Sequence, residues 1–231
     1  MPVGVQLFGE SGTVQVDDNF ASLALRSKGV ATLAVSGSDL ANTCSASVTV
    51  TGEFPIIAFR PGVPVALWYV EQSGSTWTFH FASERANTGQ AFQWFVFDRP
   101  LDLGSHFGCQ VFDASGRLTF DALQKYIRVY DLKAIDARTP QSFPAYGSRT
   151  WAVIMLQLGC VTPVTPTPPA PPPGGLWHWT AALWMSGVTI ATTGFTTSTI
   201  AAATSSGISQ NLPSYPQSPI GQVLLIDVTD F

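Results

Sequence analysis

Residues 4–18 read GVQLFGESGTVQVDD, and residues 108–122 read GCQVFDASGRLTFDA. At an offset of 104 positions Gly4, Gln6, Phe8, Ser11, Gly12 and Asp17 meet Gly108, Gln110, Phe112, Ser115, Gly116 and Asp121. Leu7/Val111, Val14/Leu118 and Val16/Phe120 add apolar-for-apolar matches. A chain that repeats itself at this distance constrains its own fold, because whatever the first copy builds the second builds again. Each copy carries two short β-prone runs around a Ser-Gly pair, where glycine takes positive φ at little cost, so each is read as a hairpin. Phe8 and Phe112 are expected to anchor one face. Asp17 and Asp121 are expected to accept backbone N–H groups where the strand leaves the hairpin.

The rest of the first half reads as strands. ATLAVSG and ASVTVTG alternate apolar and small polar residues, and FPIIAFRPG, PVALWYVEQ, STWTFHFAS and AFQWFVFDRP follow with Pro-Gly and Ser-Gly turns between them. No helical periodicity precedes residue 121. DALQKYIRVYDL, residues 121–132, has the length of a short helix, but the repeat favours a strand or irregular segment with Tyr126, Val129 and Tyr130 packing. The ends of the halves also correspond. GQAFQWFVFD (89–98) resembles GQVLLID (221–227), with Gln90 and Gln222 after a glycine and Asp98 and Asp227 after an apolar run, now at an offset of 129.

The growth in offset is assigned to VTPVTPTPPAPPPGG, residues 161–175, with Pro163, Pro166, Pro168, Pro169, Pro171, Pro172 and Pro173. Such a segment favours polyproline II and stays out of sheet interiors, so it is expected to be an extended linker or surface arm. The fold expected is all-β: two tandem, related, antiparallel β-sandwich or barrel-like domains, spanning 1–103 and 104–231, the second interrupted by the arm.

Composition narrows the partners. Charged residues make up 11% of the chain, against about a quarter in typical soluble domains, and the net charge is −4 with no Lys/Arg cluster. A nucleic-acid footprint is therefore not expected. A surface so poor in charge is covered by neighbours or built from Ser, Thr, Gln and Asn. Cys44, Cys109 and Cys160 lie in apolar or Ser/Thr surroundings and are read as buried free thiols. MPVGVQLFGESG has no basic region followed by a long apolar run, so it does not read as a secretion signal. LWHWTAALWMSGVTIA (176–191) is too short and too polar for a spanning helix, so no stable membrane insertion is expected.

Catalytic patterns are sparse. His80 sits in the alternating WTFHF and is read as a surface or edge-strand residue, His106 follows a Gly-Ser pair, and His178 lies between two tryptophans. No HxH or HxxxH pair suggests zinc, no GxSxG a serine nucleophile, and no phosphate loop a nucleotide. Asp17–Asp18 and Asp98/Asp102 are better explained as turn caps than as a Ca²⁺ site or glycosidase dyad, and Ser-Gly as a turn. No catalytic, cofactor or metal residue is assigned. The candidate contact residues are Trp177, His178, Trp179 and Trp184, which follow the proline segment. Exposed indoles anchor protein interfaces and stack on sugar faces, while Trp177 and Trp179 on one alternating face also suit a core.

Together these residues resemble a family. Gly4, Gln6, Phe8, Ser11, Gly12 and Asp17, then Pro55 to Arg60, Gly74 to Phe79, and Phe95 to Pro100, are similar to the pattern of tail proteins of long-tailed bacteriophages. The resemblance covers the first half well, and in the second the opening hairpin and, loosely, the last strand. It implies a non-enzymatic virion protein of the tail tip or baseplate, assembled in the host cytoplasm, whose partners are other tail proteins and copies of itself. A second reading makes it a receptor-binding tail protein that contacts a host-surface glycan or pilus through its aromatic residues.

Overall fold

The computed structural model describes residues 6–8, 14–17, 21–36, 42–104, 107–144, 147–167, 175–192, 194–215 and 217–231, the first two stretches as backbone only. The protein is all-β, with antiparallel sheets and no α-helix among the described residues. The first half contains β1 (Gln6–Phe8), β2 (Val14–Asp17), β3 (Ala24–Thr32), β4 (Thr43–Thr51), β5 (Ile56–Pro61), β6 (Ala66–Ser73), β7 (Thr76–Glu84) and β8 (Ala91–Asp98). The second contains β9 (Gln110–Phe112), β10 (Leu118–Asp121), β11 (Val129–Asp136), β12 (Ser142–Pro144), β13 (Trp151–Gln157), β14 (Cys160–Val161), β15 (Val164–Pro166), β16 (Trp177–Ala191), β17 (Gly194–Ser209) and β18 (Ile220–Asp227).

The repeat seen in the hairpins runs through the whole strand order. The hairpin β1-β2 matches β9-β10, the ladder β3-β8-β5 matches β11-β18-β13, and the sheet β4-β7-β6 matches β12-β17-β16. Along β3-β8 and β11-β18 the registers transpose residue by residue. Leu25 pairs with Phe97 and Val129 with Ile226; Val30 pairs with Gln93 and Ala134 with Gln222. An offset of 104 thus holds along β3 and β11, and one of 129 along β8 and β18. A bulge interrupts both ladders at the same place, between Leu25 and Ser27 and between Val129 and Asp131. The register also corrects one match drawn from sequence: the counterpart of Gln222 is Gln93, not Gln90.

The two halves join through β5 and β13, where Val153 pairs with Phe59 in an antiparallel contact. On β5 and β13 the offset is 96, since Ile57 pairs with Val96 and Val153 with Leu225. Val153 is therefore the counterpart of Ile57, and Phe59 that of Met155, so the join relates the halves by a local two-fold. The result is one six-stranded sheet, β11-β18-β13-β5-β8-β3, with both halves in it.

This sheet is buried on both faces near the join, which accounts for the unbroken apolar runs IIAF, WAVIM and VLLI. Ile57, Phe59, Val96, Val153, Met155, Val223 and Leu225 point to the main core, against Phe79 and Phe81 of β7 and Met185, Val188 and Ile200 of the β16-β17 ribbon. Ala58, Phe95, Phe97, Ala152, Ile154 and Ile226 form a second cluster on the other face, with Leu25, Ile127 and Phe231 packed at its rim. At the centre of the main core Phe59, Phe81 and Phe92 meet edge to face, Phe81 lying 5.1 Å from Phe59 and 5.0 Å from Phe92. Two sheets cover the main core: β4-β7-β6 over the first half, and β12-β17-β16-β14 with β15 over the second.

Several local expectations are corrected. Phe112 does not anchor a face; it is 43% exposed, and Val111 and Leu118 are the buried apolar residues of that hairpin. Residues 122–128 form a turn and an irregular run before β11. Tyr126 packs there by stacking on Phe120, whereas Val129 is exposed on the sheet edge. Of the thiols only Cys44 is buried; Cys160 is half-buried and Cys109 exposed. Gly116 does take positive φ, at 79°. Asp113 closes that turn by accepting from the Ser115 and Arg117 amides and the Ser115 hydroxyl.

Because Phe59 is fully buried at the meeting point of both halves and both layers, Phe59→Ala is expected to cost about 3–5 kcal/mol. Denaturant unfolding measures it; a loss under about 1 kcal/mol would contradict the packing described.

Candidate functional site

The four residues singled out from the sequence all lie on β16, a strand of 15 residues paired along its length with β17. Trp177 and Trp179 share a face and are half-buried, while His178 projects from the other face and is exposed. Trp184 is half-buried and pairs with Val161 on β14, next to a register break where β17 carries the extra residue Ala202. Trp179 lies over Gly207 on the paired strand, where an added Cβ would stand 2.6 Å from the indole. Gly207 thus gives the ring a bare backbone to rest on, as Gly29 does for Trp94. The structure gives Trp179 a packing role in the ribbon and does not gather the four residues around one cavity.

The beginning of the proline segment also differs from expectation. Val164–Pro166 is an edge strand against β16, with Val164 opposite Ala181 and Pro166 opposite Trp179. The Pro163 carbonyl accepts from the Ala182 amide at 3.3 Å, and the Thr167 amide donates to the His178 carbonyl at 2.8 Å. An edge strand tolerates proline because only one of its sides is in the ladder. Pro168, Pro169, Pro171, Pro172 and Pro173 lie outside the described residues, as do His106 and Asp18 and the side chain of Asp17.

The aspartates act as structural caps. Asp98 is buried and accepts from the Glu53, Phe54 and Arg99 amides at 2.8, 3.1 and 2.7 Å, closing the turn between β4 and β5. Asp102 accepts from the Gly104 amide at 2.8 Å. Asp121 is buried; it takes the Leu123 amide at 2.9 Å and the Gln110 side chain at 3.1 Å, so the repeated Gln and Asp of the hairpins form a register pair. Asp227, the counterpart of Asp98, is buried beside Arg149 at 3.1 Å and Arg128 at 3.7 Å. Burial opposes its charge, but the Thr229 hydroxyl and amide and the two guanidinium groups outweigh it and hold its pKa below the usual carboxylate range. The Leu123 amide does the same for Asp121 against burial, and Arg138 for Asp136. Among the described residues no three His, Cys, Asp or Glu side chains are placed to hold a metal.

A constellation not found from the sequence lies on the outer face of β4-β7-β6. His80 is on the middle strand, with Ser47 directly opposite on β4 and Tyr69 directly opposite on β6. The Ser47 hydroxyl is 3.1 Å from His80 Nδ1, and Glu71 Oε2 is 3.2 Å from His80 Nε2. The Glu71 carboxylate accepts from Nε2–H, and Nδ1 shares a hydrogen bond with the Ser47 hydroxyl. Tyr69 stacks on the imidazole with centroids 4.1 Å apart and planes 10° apart. The row exists because β6 carries a bulge between Leu67 and Tyr69. Without the extra residue Trp68 would face His80 and Tyr69 would turn into the core; with it, Tyr69 and Glu71 face outward and Trp68 meets Tyr69 edge-on at 6.0 Å. A cleft of about 460 Å³ opens beside the row, lined by Ser36, Ser45, Ser47, Trp68, Tyr69 and His80 among others. The alternation WTFHF placed His80 outward; the bulge that brings Tyr69 to it has no sequence signature.

Comparisons with protein-family models, curated proteins and solved structures returned no match.

Two outcomes are expected. Gly207→Val should displace Trp179, altering near-ultraviolet circular dichroism and costing about 1–3 kcal/mol; an unchanged spectrum would contradict the ring's placement. The depressed carboxyls make the unfolded chain the first to take up protons, near about pH 4, so stability is complete above that range and falls as pH drops through the folded values. The urea midpoint should therefore fall between about pH 6 and pH 3, and Asp227→Asn should cost about 1–3 kcal/mol at neutral pH while flattening that dependence. An equal midpoint at both pH values would contradict it.

Proposed function

We propose that the chain is a non-enzymatic structural subunit of a bacteriophage tail tip or baseplate, assembling with other tail proteins and with copies of itself. The observation that carries this reading is the surface of the duplicated sandwich. The six-stranded sheet ends in edge strand β11, with Val129, Tyr130 and Leu132 exposed, and the β16-β17 ribbon extends beyond its first-half counterpart β6-β7 and carries exposed Leu176 and Ile208 at its open end. Apolar side chains on a sheet edge and an overlong ribbon suit a subunit covered by neighbours. The low charge of the chain and the resemblance of its strand motifs to long-tailed phage proteins support the same reading.

The second reading, a receptor-binding tail protein, is favoured by a different observation: the cleft beside Tyr69 and His80. It shifts the aromatic contact from Trp177, His178, Trp179 and Trp184 to the first half of the chain.

Antibody raised against the protein is expected to label one end of the tail in purified particles of a phage that encodes it. Particles that lack the chain altogether would overturn the proposal.

A further inference from the structure

We infer that the cleft on the outer face of β4-β7-β6 binds a neutral saccharide. The inference deepens the receptor reading by naming a ligand class and a site.

The volume, about 460 Å³, falls in the range of small-ligand sites, roughly 300–1,000 Å³. Its chemistry is mixed in a particular way. Ser36, Ser45 and Ser47 bring hydroxyls, which both donate and accept, and Trp68 and Tyr69 bring flat apolar rings. A pyranose presents the complement, hydroxyls around its rim and a face of C–H groups. The described lining residues include no Lys, Arg, Asp or Glu, and the Glu71 carboxylate beside the row is hydrogen-bonded to His80. Those features disfavour a phosphate or an acidic sugar.

The rings are also held in place before any ligand arrives. His80 is fixed at both nitrogens, by Ser47 and Glu71, and Tyr69 is stacked on it while remaining 45% exposed. An exposed aromatic ring in one fixed orientation loses little freedom on binding. The bulge before Tyr69 is what sets that orientation, and bulges of this kind re-aim side chains at binding sites.

The test uses the full chain and four sugars, N-acetylglucosamine, glucose, galactose and rhamnose, with saturation-transfer NMR and fluorescence titration. At least one sugar should bind saturably. Tyr69→Ala and Ser47→Val should each weaken it, the former by about tenfold, while Trp177→Ala leaves it unchanged. Ser47 is exposed, so its variant remains informative if Tyr69→Ala disturbs folding. Failure of all four sugars to bind, undiminished binding by both cleft variants, loss of binding with Trp177→Ala alone, or tighter binding of inorganic phosphate would overturn the inference. Adsorption of particles carrying Tyr69→Ala is read separately: sugar binding without any effect on adsorption would leave the cleft standing and remove the receptor reading.

Discussion

The antiparallel contact of β5 with β13 is the constraint on which the structure depends. Each half supplies a three-stranded ladder whose inner strand would otherwise be a long apolar edge. Ile57 and Phe59 on one side, and Val153 and Met155 on the other, need cover on one face, and Ala58 and Ile154 need it on the other. Placing equivalent strands side by side, with Val153 opposite Phe59, satisfies both at once. The open edges then move outward to β3 and β11, where shorter apolar stretches and charged residues such as Asp131 and Lys133 stand. Charge on an edge limits unwanted pairing, while the exposed Val129 and Leu132 leave room for a chosen partner.

Much of this was legible in the sequence. Alternation and turn residues announced the all-β class, and the hairpin repeat has its match in the strand order, where both halves share one six-stranded sheet. The offsets of 104 and 129 inferred from a few matching residues are the ones that the registers follow. The corrections share a physical cause. Phe112 looked like an anchor because it is aromatic and repeated, but hairpin twist and the bulge between Leu118 and Phe120 give burial to Val111 and Leu118 instead. Gln90 looked like the mate of Gln222 because both follow glycine, whereas the ladder counts from the strand pairing and selects Gln93.

The Tyr69–His80–Ser47 row was invisible for a related reason. Strand period predicts which side a residue takes only while the register is unbroken, and one extra residue reverses it. The bulge near Trp68 inverts the side that simple alternation gives to Tyr69 and Glu71. For the Trp-rich segment both an interface and a core reading were open from the sequence; the long pairing with β17 and the bare backbone at Gly207 give Trp179 a place to pack. The proline segment was read as an extended linker or surface arm outside sheet interiors, and its first part, Val164–Pro166, pairs with the edge of β16.

The central claim is that the two halves, joined at β5 and β13 and sharing the Phe59–Phe81–Phe92 core, unfold as one unit. Hydrogen exchange read by mass spectrometry across a guanidinium series tests it directly, comparing peptides from β5 and β8 with peptides from β13 and β18. A single midpoint shared by all four strands is expected. Two separated midpoints, one for each half, would contradict the shared core.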